Sequence, residues 1–294
     1  MGKVSVIVPS RNEIFLEKTL NDLLAKARGD VEVVAVLDGY IPNPPIAIHD
    51  SRLVVLSTHE AKGMRNAINC GAAISKGEYL MKADGHCMFE EGFDEVLKAE
   101  CEDNWVVVPR RYSLDAENWA IMDTGKAPVD YHYLCWPWNK PQEPGMHGEV
   151  WRERAKARKD ILIDDEMSSQ GSCWFMTKKH FNDFLGGLPE EGYGSFVQEF
   201  QQIGNKTWLG GGRVVINKKT WYAHLHKGKK YGRGYYISQK KMVIGQSWSF
   251  DYWMNNRWEK RIHDIEWLID KFWPVPTWPT NWKELVHENL VRVS

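Results

Sequence analysis

The first 85 residues alternate between short apolar runs and segments with helical periodicity. Four runs rich in Val, Ile and Leu are typical of buried strands, and two intervening segments repeat apolar residues at helical spacing. The predicted strands are residues 4–9, 31–37, 53–56 and 78–83, and the predicted helices are 14–27 and 62–75. The order strand–helix–strand–strand–helix–strand predicts an α/β fold with a mainly parallel central sheet flanked by helices.

Polar residues follow directly after several of these strands. Arg11 and Glu13 come after the first strand, Asp38 after the second and Asp84 after the fourth. In open α/β sheets, ligands bind at the carboxyl ends of the strands. We therefore expect these side chains to lie at one edge of the sheet and to line a binding site.

The segment Asp84-Gly85-His86 carries an acid and an imidazole two residues apart. In an extended chain, residues i and i+2 point to the same side, so both side chains can reach one metal ion. A carboxylate combined with an imidazole suits Mn²⁺ better than an all-oxygen Mg²⁺ site. The alternative is a simple turn, because Asp and Gly are turn formers and His is tolerated there.

Composition argues against several classes of protein. A net charge of -1 gives no overall attraction to nucleic acid or to an acidic membrane. The five cysteines form no Cys-x-x-Cys pair, which argues against a disulfide framework or a structural zinc site and favours a reducing cytoplasm. The sequence shows no signal-peptide pattern and no apolar run near the roughly 18 residues of a membrane span. We expect a cytoplasmic protein without an integral membrane segment.

The remainder of the chain has weaker periodicity. Residues 110–165 are irregular and rich in tryptophan, and the prolines from Pro274 onward predict an extended tail. The tryptophans either pack this irregular segment onto the domain or stack on a sugar ring or base. The other predicted elements are strands at 105–109, 170–176, 214–216 and 220–226, helices at 90–101, 178–185, 196–203 and 267–273, and a basic, glycine-punctuated loop at 227–236.

Several motifs together resemble those of GT-A (Rossmann-like) glycosyltransferases of the inverting family 2. Residues 84–86 stand at the place of the family's metal-binding Asp-x-Asp motif, and His86 followed by Cys87 resembles the Asp-x-His of the polypeptide N-acetylgalactosaminyltransferases. The resemblance covers about residues 3–100 and 168–228. The other segments that carry it are Val4 to Glu13, Asp38-Gly39, Gly63-Met64-Arg65-Asn66, Gly77-Glu78-Tyr79-Leu80, Gly186-Gly187-Leu188 and Trp221-Tyr222-Ala223-His224.

The resemblance implies a divalent ion, Mn²⁺ or Mg²⁺, and a nucleotide-sugar donor that is UDP-linked. Asp84, His86 and His224 would be the metal ligands, with His226 as the alternative to His224. Asp84 would thereby also be a catalytic residue, because the metal neutralises charge on the departing diphosphate.

The same resemblance assigns residues to the donor. Asp38 would accept a hydrogen bond from the nucleotide base, and the nucleotide pocket would be lined by Pro9, Arg11 and Glu13. The cations expected to assist at the diphosphate are Arg65, Lys229, Lys230 and Arg233.

The catalytic base is less well determined by the motifs. Where the inverting family has an acidic pair, this chain has Val197-Gln198-Glu199, so Glu199 is the first choice and Glu190 and Glu191 are its rivals. The base would remove a proton from the acceptor hydroxyl. In a retaining enzyme no such base is needed, and Glu199 would be structural.

We expect residues 1–240 to form the glycosyltransferase domain, with a nucleotide-binding half at 1–109, an insertion at 110–165 and an acceptor and metal half at 166–240. Residues 241–294 would be a Trp-rich extension packed on this domain.

Other functions stay open at this level. A retaining glycosyltransferase would act on modified DNA or protein. A nucleotidyltransferase normally has a Gly-rich loop after its first strand, which Pro9-Ser10-Arg11-Asn12-Glu13 lacks, and a non-catalytic sugar-binding module would have Glu199 pointing away from the site. The candidate acceptors are a glycan, a protein, a lipid-linked sugar and modified DNA. Nucleic acid stays among them because the loop at 227–236 is basic and aromatic.

Overall fold

A central sheet flanked by helices organises the computed structural model, which describes residues 2–139 and 145–293. The strands are β1 (Val4–Ser10), β2 (Val31–Asp38), β3 (Leu53–Thr58), β4 (Tyr79–Ala83), β5 (Cys87–Phe89), β6 (Trp105–Asp115), β7 (Ala120–Ile121), β8 (His132–Leu134), β9 (Gly148–Val150), β10 (Ile163–Asp165), β11 (Cys173–Thr177) and β12 (Arg213–His224). The helices are α1 (Leu16–Lys26), α2 (Met64–Ile74), α3 (Phe93–Ala99), α4 (Arg152–Ala157), α5 (Glu199–Leu209), α6 (Gly228–Tyr231), α7 (Gln239–Met254), α8 (Ile265–Phe272) and α9 (Trp282–Val293).

The main sheet confirms the predicted α/β architecture. Its strand order is β10-β12-β6-β11-β4-β1-β2-β3, with β5 paired to β12 and β7 paired to β6. Strand β1 lies parallel to β2 and β4, and β12 lies parallel to β6. Strand β11 runs antiparallel between β4 and β6. The sheet is therefore mixed. The neighbouring strands β4, β1, β2 and β3 are parallel, as are β6 and β12, whereas β11, β10, β5 and β7 pair antiparallel.

Successive residues of β1 face opposite sides of the sheet, which explains the helical layers on both faces. Val6 belongs to the apolar cluster that includes Leu20 of α1, whereas Ile7 belongs to the cluster that includes Ile68 of α2. Helix α2 approaches the sheet closely at Gly71, where an added Cβ would lie 2.5 Å from Ile7 Cγ2. This close packing fixes where the loops at the strand ends begin.

The segment 110–165 is more regular than predicted. Strand β6 continues to Asp115, β8 and β9 pair as antiparallel strands, and α4 and β10 follow. Strands of two or three residues are too short to show a detectable alternation of apolar and polar residues in the sequence. Trp151 is buried in the apolar cluster that includes Ile68 of α2 and Ile203 of α5, which shows one of the tryptophans packing the segment onto the domain. Residues 140–144 of the predicted insertion lie outside the described residues.

The C-terminal region is helical where an extended tail was expected. Helix α9 follows the prolines, and the unpredicted helix α7 begins after Ser238, whose hydroxyl accepts a hydrogen bond from the backbone N–H of Lys241. Trp278 Nε1 donates to the carbonyl oxygen of Leu134 at 2.7 Å, which ties this region to the segment before it. Burial of tryptophans from both segments, rather than helical periodicity, stabilises this arrangement.

Three boundaries differ from the prediction. The predicted strands at 214–216 and 220–226 are one strand, β12, with a shift in register between Asn217 and Trp221. The helix predicted at 178–185 is a π-helix at His180–Phe184, and the one predicted at 196–203 begins at Glu199.

Across residues 2–139 and 145–293, no helix has the length and apolar character needed to cross a bilayer. All five cysteines are free.

Candidate active site

Three side chains from separate elements converge at the carboxyl edge of the sheet. Asp84 follows β4, His86 precedes β5, and His224 ends β12. Strand β5 pairs with β12, and the N–H of Leu225 donates to the carbonyl oxygen of His86 beside that pair. This pairing brings the two histidines together although they are distant in sequence. One ligand atom from each of the three residues lies within 4.8 Å of the others.

The geometry of this metal cluster, Asp84, His86 and His224, fits a divalent ion. Asp84 Oδ2 lies 3.3 Å from His224 Nε2 and 3.8 Å from His86 Nε2. Atoms bound to one metal at about 2.1 Å lie roughly 3 to 4 Å apart. His224 is buried, and neither of its ring nitrogens has a hydrogen-bond partner among the described residues. A buried imidazole with unpartnered nitrogens beside a carboxylate is expected of a metal ligand.

Burial and neighbouring charges set the protonation of these ligands. Burial lowers the pKa of His224 to about 3, so the ring is neutral near neutral pH, as metal binding requires. Burial by itself raises the pKa of the Asp84 carboxyl, but the Lys82 ammonium outweighs this effect and holds that pKa well below its usual range. The Asp84 carboxylate is therefore ionised, as binding of a metal ion requires.

Glu13 supports His86 from its other ring nitrogen. Glu13 Oε2 lies 2.9 Å from His86 Nδ1, and Lys227 forms an ion pair with the same carboxylate. Burial raises the pKa of the Glu13 carboxyl, but His86 and Lys227 outweigh this effect and lower it. Because Nδ1 is engaged, Nε2 is left to face Asp84. Glu13, which was expected in the nucleotide pocket, therefore also orients the imidazole of His86.

Replacing Glu13 by glutamine is expected to weaken Mn²⁺ binding by about 10- to 100-fold, because an amide holds the imidazole less firmly than a carboxylate does. Isothermal titration with Mn²⁺ measures the change in Kd. Glu102→Gln, which alters an exposed carboxylate, is the control and should bind Mn²⁺ like the wild type. Equal affinities for Glu13→Gln and wild type would show that this contact does not support the cluster.

A buried lysine that the sequence analysis did not identify links the metal cluster to Glu199. Lys82 is 1% exposed, and its Nζ lies 2.5 Å from Asp84 Oδ1 and 3.5 Å from Glu199 Oε2. It also donates to the carbonyl oxygen of Gly171. The detectable signal was a lysine inside the otherwise apolar strand β4, two residues before Asp84 and so on the same side of the chain.

A cavity of 1280 Å³ opens over the metal cluster. On one side it is lined by Pro9, Arg11 and Asp38, so the residues that follow the strands do meet in one place. Both oxygens of Asp38 accept backbone N–H groups, from Lys62 at 2.7 Å and from Gly63 at 2.9 Å. Asp38 therefore fixes the turn that enters α2, in addition to facing the cavity.

Three of the predicted diphosphate cations, Arg65, Lys229 and Lys230, do not line the cavity. Arg65 is fully buried and donates to the backbone carbonyls of Pro189 and Val197, so it holds the segment before α5 and cannot contact a diphosphate. Lys230 is exposed and pairs with Glu117 outside the cavity. Sequence alone could not separate these positions, because the direction of a long side chain depends on its tertiary partners.

The basic loop at 227–236 lies against the loop after β1. Asn12 Nδ2 donates to the carbonyl oxygen of Gly234 at 2.8 Å, and the Arg11 guanidinium lies 5.3 Å from the ring centre of Tyr235. Arg233 and Lys227 from this loop line the cavity, whereas Lys229 is exposed. The cationic residues of these two loops that line the cavity are therefore Arg11, Lys227 and Arg233.

Glu199 lies at the border of the cavity and is 5% exposed. Trp174 Nε1 donates to its Oε1 at 2.6 Å, and Lys82 contacts its Oε2. Burial raises the pKa of the carboxyl, and Lys82 partly opposes this rise. Of the two rivals, Glu190 also lines the cavity, and Glu191 is exposed. His226 lines the cavity too, but the cluster with Asp84 and His86 contains His224.

Comparisons with known proteins agree with this architecture. The sequence model described as Glycosyl transferase family 2 matches residues 5–183. The chain is 23% identical over 269 residues to a probable N-acetylgalactosaminyltransferase 7 of Caenorhabditis elegans, covering 85% of this chain and 44% of that protein. It is 28% identical over 120 residues to the glycosyltransferase GlyG of Streptococcus pneumoniae, covering 38% of this chain and 40% of that protein.

Solved structures show the same fold. GalNAc-T7 with UDP, GalNAc and Mn²⁺ superposes with a TM-score of 0.69 at 16% identity, over 87% of this chain and 50% of that one. A fragment of S. aureus TarS in complex with UDP-GlcNAc superposes with a TM-score of 0.52 at 15% identity, over 82% of this chain and 63% of that one. The chain thus has the GT-A arrangement, and it spans less than half the length of the curated relatives it matches.

Proposed function

We propose that this chain, which belongs to glycosyl transferase family 2, uses a divalent metal ion to transfer a sugar from a UDP-linked donor to an acceptor hydroxyl. The observation that carries the proposal is the metal cluster at the carboxyl edge of the sheet, next to the strand-end residues Arg11 and Asp38. The solved relatives with UDP and Mn²⁺, or with UDP-GlcNAc, support this donor class. Glycosyl transfer is favoured over nucleotidyl transfer and over a sugar-binding module by the family match.

In this proposal, Asp84, His86 and His224 hold Mn²⁺, which supplies Lewis-acid neutralisation of the departing diphosphate. Arg233 and Lys227 add positive charge on the same side of the cavity. Arg11 and Pro9 line the nucleotide side, where Asp38 both faces the base and anchors the turn before α2. Arg65 and Lys230 have no part in it, because their side chains lie elsewhere.

A donor screen tests this function directly. Wild-type protein is incubated with a panel of nucleotide sugars and Mn²⁺, and nucleotide release is measured with and without a chelator. We expect release from a UDP-sugar that the chelator abolishes and that added Mn²⁺ restores. Failure of every nucleotide sugar to turn over with Mn²⁺ would contradict the proposal.

For the stereochemistry, we propose inversion with Glu199 as the base. The carboxylate borders the cavity beside the metal cluster, and burial raises its pKa toward the range in which a carboxylate accepts protons effectively. Lys82 and Trp174 hold it in one orientation. In the retaining alternative, the same contacts would make Glu199 a structural residue.

Replacing Glu199 by glutamine is expected to lower kcat by about 10²- to 10⁴-fold, because the acceptor hydroxyl loses its proton acceptor. Product release measured by chromatography gives kcat, and NMR of the product gives its anomeric configuration. Glu191→Gln, at an exposed neighbouring acid, is the control and should keep wild-type kcat. A product with the donor's configuration, formed at a rate that Glu199→Gln leaves unchanged, would favour the retaining alternative.

A further inference from the structure

The cavity continues past Glu199 into a part with a different chemical character. This amide-lined half is bounded by the N-terminal end of α5, the segment before β11, the segment before β9 and helix α7. Its polar side chains are mainly neutral amides and hydroxyls, from Ser169, Gln170, Gln198, Gln201 and Gln246, together with His147. It therefore differs from the nucleotide side, where arginine, lysine and carboxylate groups predominate.

Contacts among these side chains hold the half together across several elements. Gln198 Nε2 lies 3.3 Å from His147 Nδ1, and the Ser249 hydroxyl of α7 donates to Gln198 Oε1 at 3.4 Å. Gln201 Nε2 donates to the carbonyl oxygen of Ser169 at 3.5 Å. Gln198 adopts a φ of 57°, in the left-handed region that non-glycine residues rarely occupy. Strained backbone of this kind is concentrated at binding and catalytic sites.

Two acceptor atoms in this half lack donors. Gln170 Oε1 and Gln246 Oε1 are buried and have no hydrogen-bond partner among the residues that the structure describes. A buried amide oxygen without a donor is unfavourable, and rotation of either side chain toward the cavity would let its oxygen accept an N–H or O–H group of a ligand. A phosphate group only accepts hydrogen bonds from these side chains, whereas a sugar hydroxyl can donate to them.

Charge points to the same class of ligand. Two lysines line this half: Lys241, and Lys82, which is paired with Asp84 and Glu199. The acids Glu190 and Glu199 line it as well. A nucleic-acid site needs several cations along the phosphate backbone. Within the basic loop, Lys227 pairs with Glu13 and Lys230 with Glu117, and Arg233 is assigned to the donor in the proposed function.

We propose that the amide-lined half binds a neutral, hydroxyl-rich carbohydrate acceptor and presents one of its hydroxyl groups to Glu199. This inference rests on the proposed glycosyl transfer and names its acceptor class. In the reaction, the acceptor oxygen bonds to the anomeric carbon and its proton passes to Glu199. The bond between the anomeric carbon and the phosphate oxygen breaks, and the nucleoside diphosphate leaves with the electron pair. Residues before β9 and in α7 thereby take part in acceptor choice.

The test compares acceptor classes on the wild-type protein with Mn²⁺ and the UDP-sugar that it hydrolyses. The probes are neutral mono- and disaccharides, single-stranded DNA and RNA oligonucleotides, and peptides containing Ser and Thr. We expect a neutral saccharide to raise nucleotide release at least tenfold and to appear in a glycosylated product. Stimulation by oligonucleotides or peptides instead, or by no saccharide in the panel, would overturn the inference while leaving the donor chemistry intact. Absence of any donor hydrolysis would instead contradict the proposed function.

Variants then locate the acceptor site. Gln170→Leu and Gln246→Leu remove the unpartnered oxygens while keeping similar volume, and each should raise the KM for the saccharide at least tenfold relative to the KM for the donor. Gln239→Leu, on the exposed first turn of the same helix α7 as Gln246, should leave that ratio at the wild-type value. Circular dichroism confirms that the variants are folded. An unchanged ratio in both folded cavity variants would place the acceptor elsewhere.

Discussion

Replacing Asp84 by alanine is expected to lower kcat/KM for glycosyl transfer by about a thousandfold or more. Asp84 supplies the only carboxylate in the described metal cluster, and its Oδ2 faces both histidine nitrogens. Without it the cluster keeps two imidazoles, which hold a divalent ion weakly. Loss of a Lewis acid worth several kcal/mol corresponds to about three orders of magnitude in rate. The initial rate of nucleotide release at donor concentrations well below KM, at one fixed Mn²⁺ concentration, measures this loss in kcat/KM.

The control must separate metal loss from destabilisation, because Asp84→Ala also removes a partner of the buried Lys82. Asp22→Ala serves this purpose. Asp22 accepts hydrogen bonds from the backbone of Phe89 and from Trp119 Nε1, so its removal costs stability outside the cavity. We expect Asp22→Ala to unfold more easily and still to bind Mn²⁺ in a titration. Full metal-dependent turnover by folded Asp84→Ala would refute the assignment of the metal cluster.

Replacing Lys82 by methionine is expected to lower the free energy of unfolding of the metal-free protein by about 3 to 5 kcal/mol. The substitution keeps the buried volume but leaves the carboxylates of Asp84 and Glu199 without their ammonium partner. Removing one member of a buried ion pair is costly because the other charge stays desolvated. Urea unfolding at neutral pH in the presence of a chelator measures the change.

Two further measurements make this prediction specific. Mn²⁺ should stabilise Lys82→Met more than it stabilises the wild type, because the ion replaces the missing positive charge near Asp84. The double variant Lys82→Met with Glu199→Gln should recover part of the lost stability, since it removes one uncompensated carboxylate. Lys229→Met, at an exposed lysine, should change stability by less than about 0.5 kcal/mol. A similarly small change for Lys82→Met would contradict the ion-pair assignment.

Much of the site could be predicted because it lies at the ends of strands. Arg11, Glu13, Asp38 and Asp84 were identified from their position after apolar runs, and all of them line one cavity. His224 was added through the family resemblance, and the structure places it in the cluster with Asp84 and His86. These positions are predictable since a parallel sheet carries the ends of its strands to a common edge.

Other features depend on contacts between distant segments. From the sequence, Arg65 is a cation on a predicted helix. In the structure its side chain is buried against carbonyl oxygens of the segment before α5. The link from Lys82 to Glu199 joins residues of β4 and α5. The amide-lined half collects residues from the segments before β9 and β11, from the N-terminal end of α5 and from α7. Hydrophobic periodicity in the sequence does not indicate such contacts, because each depends on how the insertion and the C-terminal helices fold back over the sheet.

The sequence by itself determined the α/β class, the edge of the sheet where the site lies and two of the three residues in the metal cluster. Apolar periodicity and the placement of polar residues after strands are local properties, so they can be seen without a structure. Only the tertiary structure decided that Glu13 orients His86, that Lys82 joins Asp84 to Glu199, and that a neutral, amide-lined half adjoins the donor side. Burial and side-chain direction control those contacts, and both arise only when separate segments pack together.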